Sequence, residues 1–183
     1  ISKPLLAFEK EISDPENHQF RTPSGKIEIY SQQLADLNNP ELPPIPKYIE
    51  CPEGPNSPLA AKYPLQFISR QAKNRSHSNF YNIPILHEIE PQRISMHTSD
   101  AKVRRIKDGD MVRVFNDRGV VLIPARLTER VMPCVVILGA GAWFTPDEQG
   151  RDKGGCANTL TPERVSPGGS FAINSCLVQI EKE

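Results

Sequence analysis

The run Met111-Val112-Arg113-Val114-Phe115-Asn116-Asp117-Arg118-Gly119-Val120-Val121-Leu122-Ile123-Pro124-Ala125-Arg126-Leu127 decides the fold class. Two stretches rich in β-branched and aromatic residues flank the turn Asn116-Asp117-Arg118-Gly119, which is a strong hairpin signal. Upstream, Arg93-Ile94-Ser95-Met96 reads as a short strand, followed by a one- to two-turn helix from Asp100 to Ile106 with Thr98 or Ser99 as its cap. That helix ends at the turn Lys107-Asp108-Gly109-Asp110. Pro64 to Ile68 predicts another strand. Cys134 to Leu138 is apolar on both faces, as a central strand should be, and Cys176, Val178 and Ile180 alternate with Leu177, Gln179 and Glu181 in a last one. Six or seven short strands, few helices and no repeat predict a mainly β chain with short helices, closed into a barrel.

Outside this unit the chain changes character. Residues 39–62 hold Pro40, Pro43, Pro44, Pro46, Pro52, Pro55 and Pro58, each of which fixes its own φ and removes a backbone donor. The stretch therefore reads as a Pro-rich extended connector between an N-terminal hook (1–38) and the barrel (63–183). In the hook, Pro23-Ser24-Gly25 is a turn, Ile27 and Ile29 alternate with Lys26 and Glu28 as in a half-buried strand, and Ser31 caps a short helix carrying Leu34 and Leu37. The 183 residues carry 22 basic and 22 acidic side chains, so no overall field favours nucleic acid or an anionic membrane. No apolar run approaches the length of a spanning helix, so direct membrane insertion is not expected. The chain opens on Ile1 without a leader-like segment and is read as a piece of a larger or processed protein. Cys51, Cys134, Cys156 and Cys176 form no CxxC pair, which argues against a zinc or iron–sulfur site held by this chain alone; buried, reduced thiols are the expectation. His18, His87 and His97 show no metal-ligand spacing.

Two polar loops carry the chemistry. The first, Ser69-Arg70-Gln71-Ala72-Lys73-Asn74-Arg75-Ser76-His77-Ser78, follows a strand directly; the second is Gly154-Gly155-Cys156-Ala157-Asn158-Thr159-Leu160-Thr161. Hydroxyls of Ser69, Ser76 and Ser78 can donate to phosphate or ring oxygens, and Arg70 and Arg75 can neutralise phosphate charge or lie flat on a heterocycle. His77 can donate or accept at a ring edge, and the Asn158 amide offers a donor and an acceptor side by side. The alternatives are solvated loop side chains and, for Asn158, a turn former. Trp143 reads either as a barrel plug or as a wall of a substrate funnel.

In order along the chain, Ile94 to Ala101, Ile106 to Val114, Gly119 with its following strand, Gly139-Ala140-Gly141-Ala142-Trp143-Phe144, Asn158 to Thr161 and Cys176 to Lys182 resemble the C-terminal domain of molybdopterin oxidoreductases of the dimethyl sulfoxide reductase family. Thr22 to Glu28 resembles the segment preceding that domain, and Asp147, Lys153 to Asn158 and Arg75 to Ser78 resemble the anaerobic dimethyl sulfoxide reductase catalytic subunit most. The resemblance implies a double-psi β-barrel that binds part of a molybdenum bis(molybdopterin guanine dinucleotide) in a sulfoxide or N-oxide reductase. Residues implied at the cofactor are Ser69, Arg70, Arg75, Ser76, His77, Ser78, Asn158 and, by its place before the last strand, Asn174. No catalytic residue or metal ligand is assigned to this chain, which by itself is expected to be inactive. A 4Fe-4S cluster in an N-terminal domain, an iron–sulfur electron-transfer subunit, a membrane anchor subunit and export to the periplasmic side follow from the same resemblance. Two departures stand out: the family usually has Gly at the positions of Arg105 and Cys134.

Other members sharing the barrel (formate dehydrogenase, nitrate, polysulfide or thiosulfate reductases) and a non-catalytic double-psi interaction domain are the alternatives. Pyruvoyl-dependent aspartate decarboxylase shares the barrel and self-cleaves at a Gly-Ser bond. Gly169-Ser170 is present here, but beside Pro167 and Gly168 a flexible loop is the simpler account.

Overall fold

The computed structural model describes residues 6–166, 169–171 and 173–183; Pro167 and Gly168, part of the loop just discussed, and residues 1–5 of the hook lie outside them. The chain divides into two compact units, Ile1–Ile49 and Glu50–Glu183.

The first unit contains α1 (Glu9–Ser13) and α2 (Gln32–Asp36). Ser31 caps α2 as its sequence suggests, accepting from the Leu34 amide at 3.3 Å. The expected strand at Ile27 and Ile29 does not form, and these side chains are 73% and 75% exposed. An alternating segment becomes a strand only where a second backbone completes its hydrogen-bond ladder, and among the described residues this unit offers none.

The second unit is mainly β. Its strands are β1 (Leu65–Arg70), β2 (Ile94–Met96), β3 (Met111–Phe115), β4 (Val120–Leu127), β5 (Val135–Gly139) and β6 (Cys176–Lys182). They close in the order β1-β5-β2-β4-β3-β6. β1 with β5 and β2 with β4 run parallel, whereas the other four neighbouring pairs are antiparallel. This is the double-psi barrel the resemblance implies. Alternation sends Leu65, Phe67, Ile94, Met96, Val112, Val114, Val121, Ile123, Ala125, Val136, Leu138, Val178 and Ile180 into one core. Closure pairs β5 along both edges, with β1 and β2, and its outward residues Val135 and Ile137 are half-buried.

Helices α3 (Pro84–Ile89) and α4 (Thr98–Val103) sit in connections. The cap of α4 is neither Thr98 nor Ser99 but His97, whose Nδ1 accepts from the Ser99 amide at 3.1 Å. Any side-chain acceptor with extended backbone just before the first turn can serve there, so the preference for Ser or Thr puts the cap one or two residues too late and the helix start two residues too late. The helix ends in a Schellman turn: Arg105 N–H donates to Lys102 O at 3.1 Å and Ile106 N–H to Ala101 O at 2.9 Å. Arg105 takes φ +56° and Cys134 φ +64°, so both non-glycine replacements occupy left-handed backbone. The turn expected of glycine at Cys134 is thus kept, with its amide donating to the buried Asp100 Oδ2 at 2.7 Å.

The thiols differ from expectation. Only Cys176 is buried; Cys156 is intermediate, and Cys51 and Cys134 are exposed. Cys134 lies in the turn before β5, so the apolar run that reads as strand starts one residue too early. The proline-rich stretch is also not uniformly extended: Pro58–Ala61 forms a 3-10 turn capped by Ser57, and Glu53 bonds into the barrel.

Candidate cofactor-binding rim

The pairing register gathers the ends of β1, β3 and β5 and the starts of β2, β4 and β6 at one mouth of the barrel. Both polar loops therefore emerge on the same rim. The first is fastened by residues sequence reasoning passed over. Glu90 accepts from Arg70 Nη2 at 2.6 Å and from the amides of Lys73 and Asn74 at 3.0 and 3.2 Å. Burial pushes the Glu90 pKa up, but these donors and the Arg70 charge more than compensate, leaving it below the ordinary value. Gln92 donates to Gly139 O at 2.7 Å and Gly155 O at 3.0 Å while accepting from Arg75 Nη2 at 2.8 Å. One amide thus ties the first loop, the end of β5 and the second loop together.

Arg75 is only 8% exposed, its guanidinium 5.1 Å from the centre of the Tyr81 ring. The Tyr81 hydroxyl donates to Gly154 O. Trp143, half-exposed, donates from Nε1 to Ser78 O at 2.9 Å and lies 5.9 Å from the Tyr81 ring. Two glycines permit this approach. A Cβ on Gly141 would fall 1.7 Å from His77 O, and one on Gly154 2.0 Å from Trp143 O.

The predicted residues do not all meet in one place. Ser69 and Asn174 do: Asn174 Oδ1 accepts from the Ser69 amide at 2.9 Å. Arg70 is held by Glu90, Arg75 is buried within the loop, and Ser76, His77 and Ser78 are exposed along the rim. Asn158 stands apart in a groove of about 680 Å³ lined by Arg118, Gly119, Phe144, Cys156, Thr159 and Thr161 among others. The two regions share the 139–156 segment, since Trp143 holds Ser78 and its neighbour Phe144 walls the groove.

That segment is organised by Asp152, which is fully buried. Its carboxylate accepts from the amides of Thr145 and Gly154 at 2.8 and 2.9 Å and of Cys156 at 2.6 Å. An acidic residue beside glycines is the only sequence signal for such a hub, and it is a weak one.

Among the described residues, two buried side-chain polar atoms lack a hydrogen-bond partner: Arg75 Nη1 and Thr159 Oγ1. One lies in each polar loop. An unpaired buried polar atom is expensive, so each of these two calls for a partner that the protein around it does not supply. Polar donors beside glycine-tight backbone suit a phosphate-bearing heterocycle, and the rim fits such a group. No cluster of three or more His, Cys, Asp or Glu among the described residues is placed to hold a metal ion.

Comparison with known proteins identifies the family. The sequence matches the molydopterin dinucleotide binding domain over residues 65–176, and the chain belongs to that family. It is similar to dimethyl sulfoxide reductase DmsA of Escherichia coli, with 45% identity over 97% of this chain, and to DmsA of Haemophilus influenzae, with 41% over 97%. In each case it spans 23% of the relative's length. Among solved structures, acetylene hydratase from Pelobacter acetylenicus superposes with a TM-score of 0.75 over 93% of this chain and 25% of its own, at 20% identity, which concerns the fold alone.

Proposed function

We propose that this barrel provides part of the binding surface for a molybdenum bis(molybdopterin guanine dinucleotide) in an enzyme that reduces a sulfoxide or N-oxide. The observation that carries the reading is the unpartnered Arg75 Nη1, buried in the first loop of a domain belonging to a dinucleotide-binding family. When bound, the cofactor supplies two-electron oxygen-atom transfer at its metal. The chain's own residues bind and orient. Arg75 adds a charge-assisted donor, and Glu90 holds the Arg70 guanidinium in place at the rim while cancelling its charge. Ser69, Ser76, Ser78 and His77 offer further donors, Asn158 and Asn174 offer amides, and the exposed face of Trp143 borders the substrate's approach. The molybdenum ligand and a 4Fe-4S cluster belong to parts of the protein outside this chain, with an iron–sulfur subunit, a membrane anchor and a periplasmic location as the setting. Among the described residues no helix is long and apolar enough to cross a membrane.

The test uses the full-length enzyme purified without oxygen. Molybdenum by mass spectrometry and guanosine monophosphate after acid hydrolysis should read about two nucleotides per metal, as the bis-dinucleotide composition requires. Arg75→Gln should lower both together while the barrel stays folded. Full retention of both by the variant would remove Arg75 from the site.

A further inference from the structure

Arg118 lines the Asn158 groove, yet each of its guanidinium nitrogens already has a protein partner. Nε donates to Leu160 O at 2.7 Å, Nη1 and Nη2 to the two Glu53 carboxylate oxygens at 2.7 and 2.8 Å, and Nη2 also reaches Cys176 Sγ at 3.4 Å. It is therefore poorly placed to serve as a direct ligand. The fully buried Leu160 offers a carbonyl that also accepts from Asn116 Nδ2 at 2.9 Å and Cys176 Sγ at 3.0 Å. Three donors on one oxygen exceed its two lone pairs, a density that fixes the position of the peptide rather than merely satisfying it. Glu53 completes the lock, since its carboxylate also accepts from the Leu177 amide at 3.1 Å and so joins the 50–62 segment to the start of β6.

We propose that Glu53 and Arg118 are positioning residues that hold the 158–161 turn so that Asn158, two residues before the pinned carbonyl, presents its amide to the groove in one orientation. The ligand class is the amino-pyrimidinone edge of the dinucleotide cofactor, and the inference rests on the reading of Asn158 as a cofactor contact. The forked Arg–carboxylate pair is suited to this because it fixes direction as well as distance. Burial pushes the Cys176 thiol up to about 11, so at neutral pH it stays protonated and keeps its role as donor to Leu160.

The experiment follows cofactor loss from full-length holoenzyme, well below its unfolding temperature. Molybdenum remaining with the protein after gel filtration is measured over time for Asn158→Ala, Arg118→Gln, Glu53→Gln and the Arg118→Gln/Asn158→Ala pair, with thermal unfolding of each recorded alongside. Asn158→Ala and Arg118→Gln should each speed loss on the order of tenfold. The double variant should be no faster than the single ones within about twofold, because both changes remove the same contact. A purely structural role would lower the unfolding temperature and leave the loss rate of Arg118→Gln at wild type; that result, or factors that multiply in the double variant, overturns the proposal while Asn158 keeps its role. A wild-type rate in Asn158→Ala instead overturns the reading of Asn158 as a contact, and the positioning inference with it. Should Arg118→Gln fail to fold, the isosteric Glu53→Gln carries the test, with roughly threefold faster loss expected and an unchanged rate refuting.

Discussion

Arg105→Gly should stabilise the barrel, and the structure gives the size of the effect. Arg105 is the residue after the C-cap of α4, at φ +56°, and its amide and that of Ile106 make the two turn-closing bonds. Those bonds use backbone only, so glycine keeps both. A side chain in left-handed backbone costs about 1–2 kcal/mol. Glycine offsets part of that relief by loosening the unfolded chain, which costs about 0.4–1 kcal/mol. Arg105 is exposed, so little packing is lost. The balance is roughly 0.5–1 kcal/mol in favour of glycine. With a urea m-value of about 2 kcal/mol per molar, the midpoint should rise by about 0.3–0.5 M at unchanged m. Trp143, the only tryptophan, lies in the barrel unit and reports its transition by fluorescence. Arg105→Ala is the control, since its Cβ keeps the conflict and its midpoint should not rise. Equal gains from Ala and Gly would show that the side chain rather than φ matters, and a loss with Gly would refute the argument outright. Cys134→Gly, at φ +64°, should follow the same pattern.

Further expectations concern the rim. Asn116→Ala removes donors to Leu160 O and Leu177 O and an acceptor for the Arg118 amide, all at a buried site. It should destabilise the barrel by about 2–4 kcal/mol in denaturant titration, and a change within about 0.5 kcal/mol would contradict the bonding described. Gly141→Ala forces a methyl onto His77 O and should detach the first loop, detected as faster proteolysis within residues 71–81 and lower molybdenum retention in the full enzyme; unchanged protection and retention would show that the contact is not needed. Acid should weaken the Glu53 clasp. Burial raises its pKa, but Arg118 and the Leu177 amide hold it below the ordinary value of 4.5. For a carboxylate with a lowered folded pKa, the stabilisation is present above the unfolded value and is lost as pH falls through the folded one. Glu53→Gln should therefore flatten the loss of stability below about pH 4.5, and identical acid profiles for the two proteins would argue against the linkage.

Elements whose signal is local are legible in the chain alone. Met111–Phe115 and Val120–Leu127 announce themselves through β-branched residues around Asn-Asp-Arg-Gly, and the ordered motifs carry the resemblance to the dinucleotide-binding family. Ser31 caps α2 because capping needs only one side chain and the next turn. Ile27 and Ile29 show the same reasoning failing: alternation is local, but a strand needs a partner backbone that alternation does not specify. The rim lies further beyond sequence reach. Gln92, 47 residues from Gly139 and 63 from Gly155, binds both because β2 starts where β5 ends. Nothing in Gln92 or its neighbours signals that role. Arg75 is legible as a cationic loop residue, but its burial and its unpartnered Nη1 exist only once Tyr81, Gln92 and Gly139 surround it. Residue chemistry can be read along the chain, whereas desolvation and the pairing of distant polar groups are properties of the closed barrel. Those properties decide which of the many loop side chains at this mouth are available to a ligand.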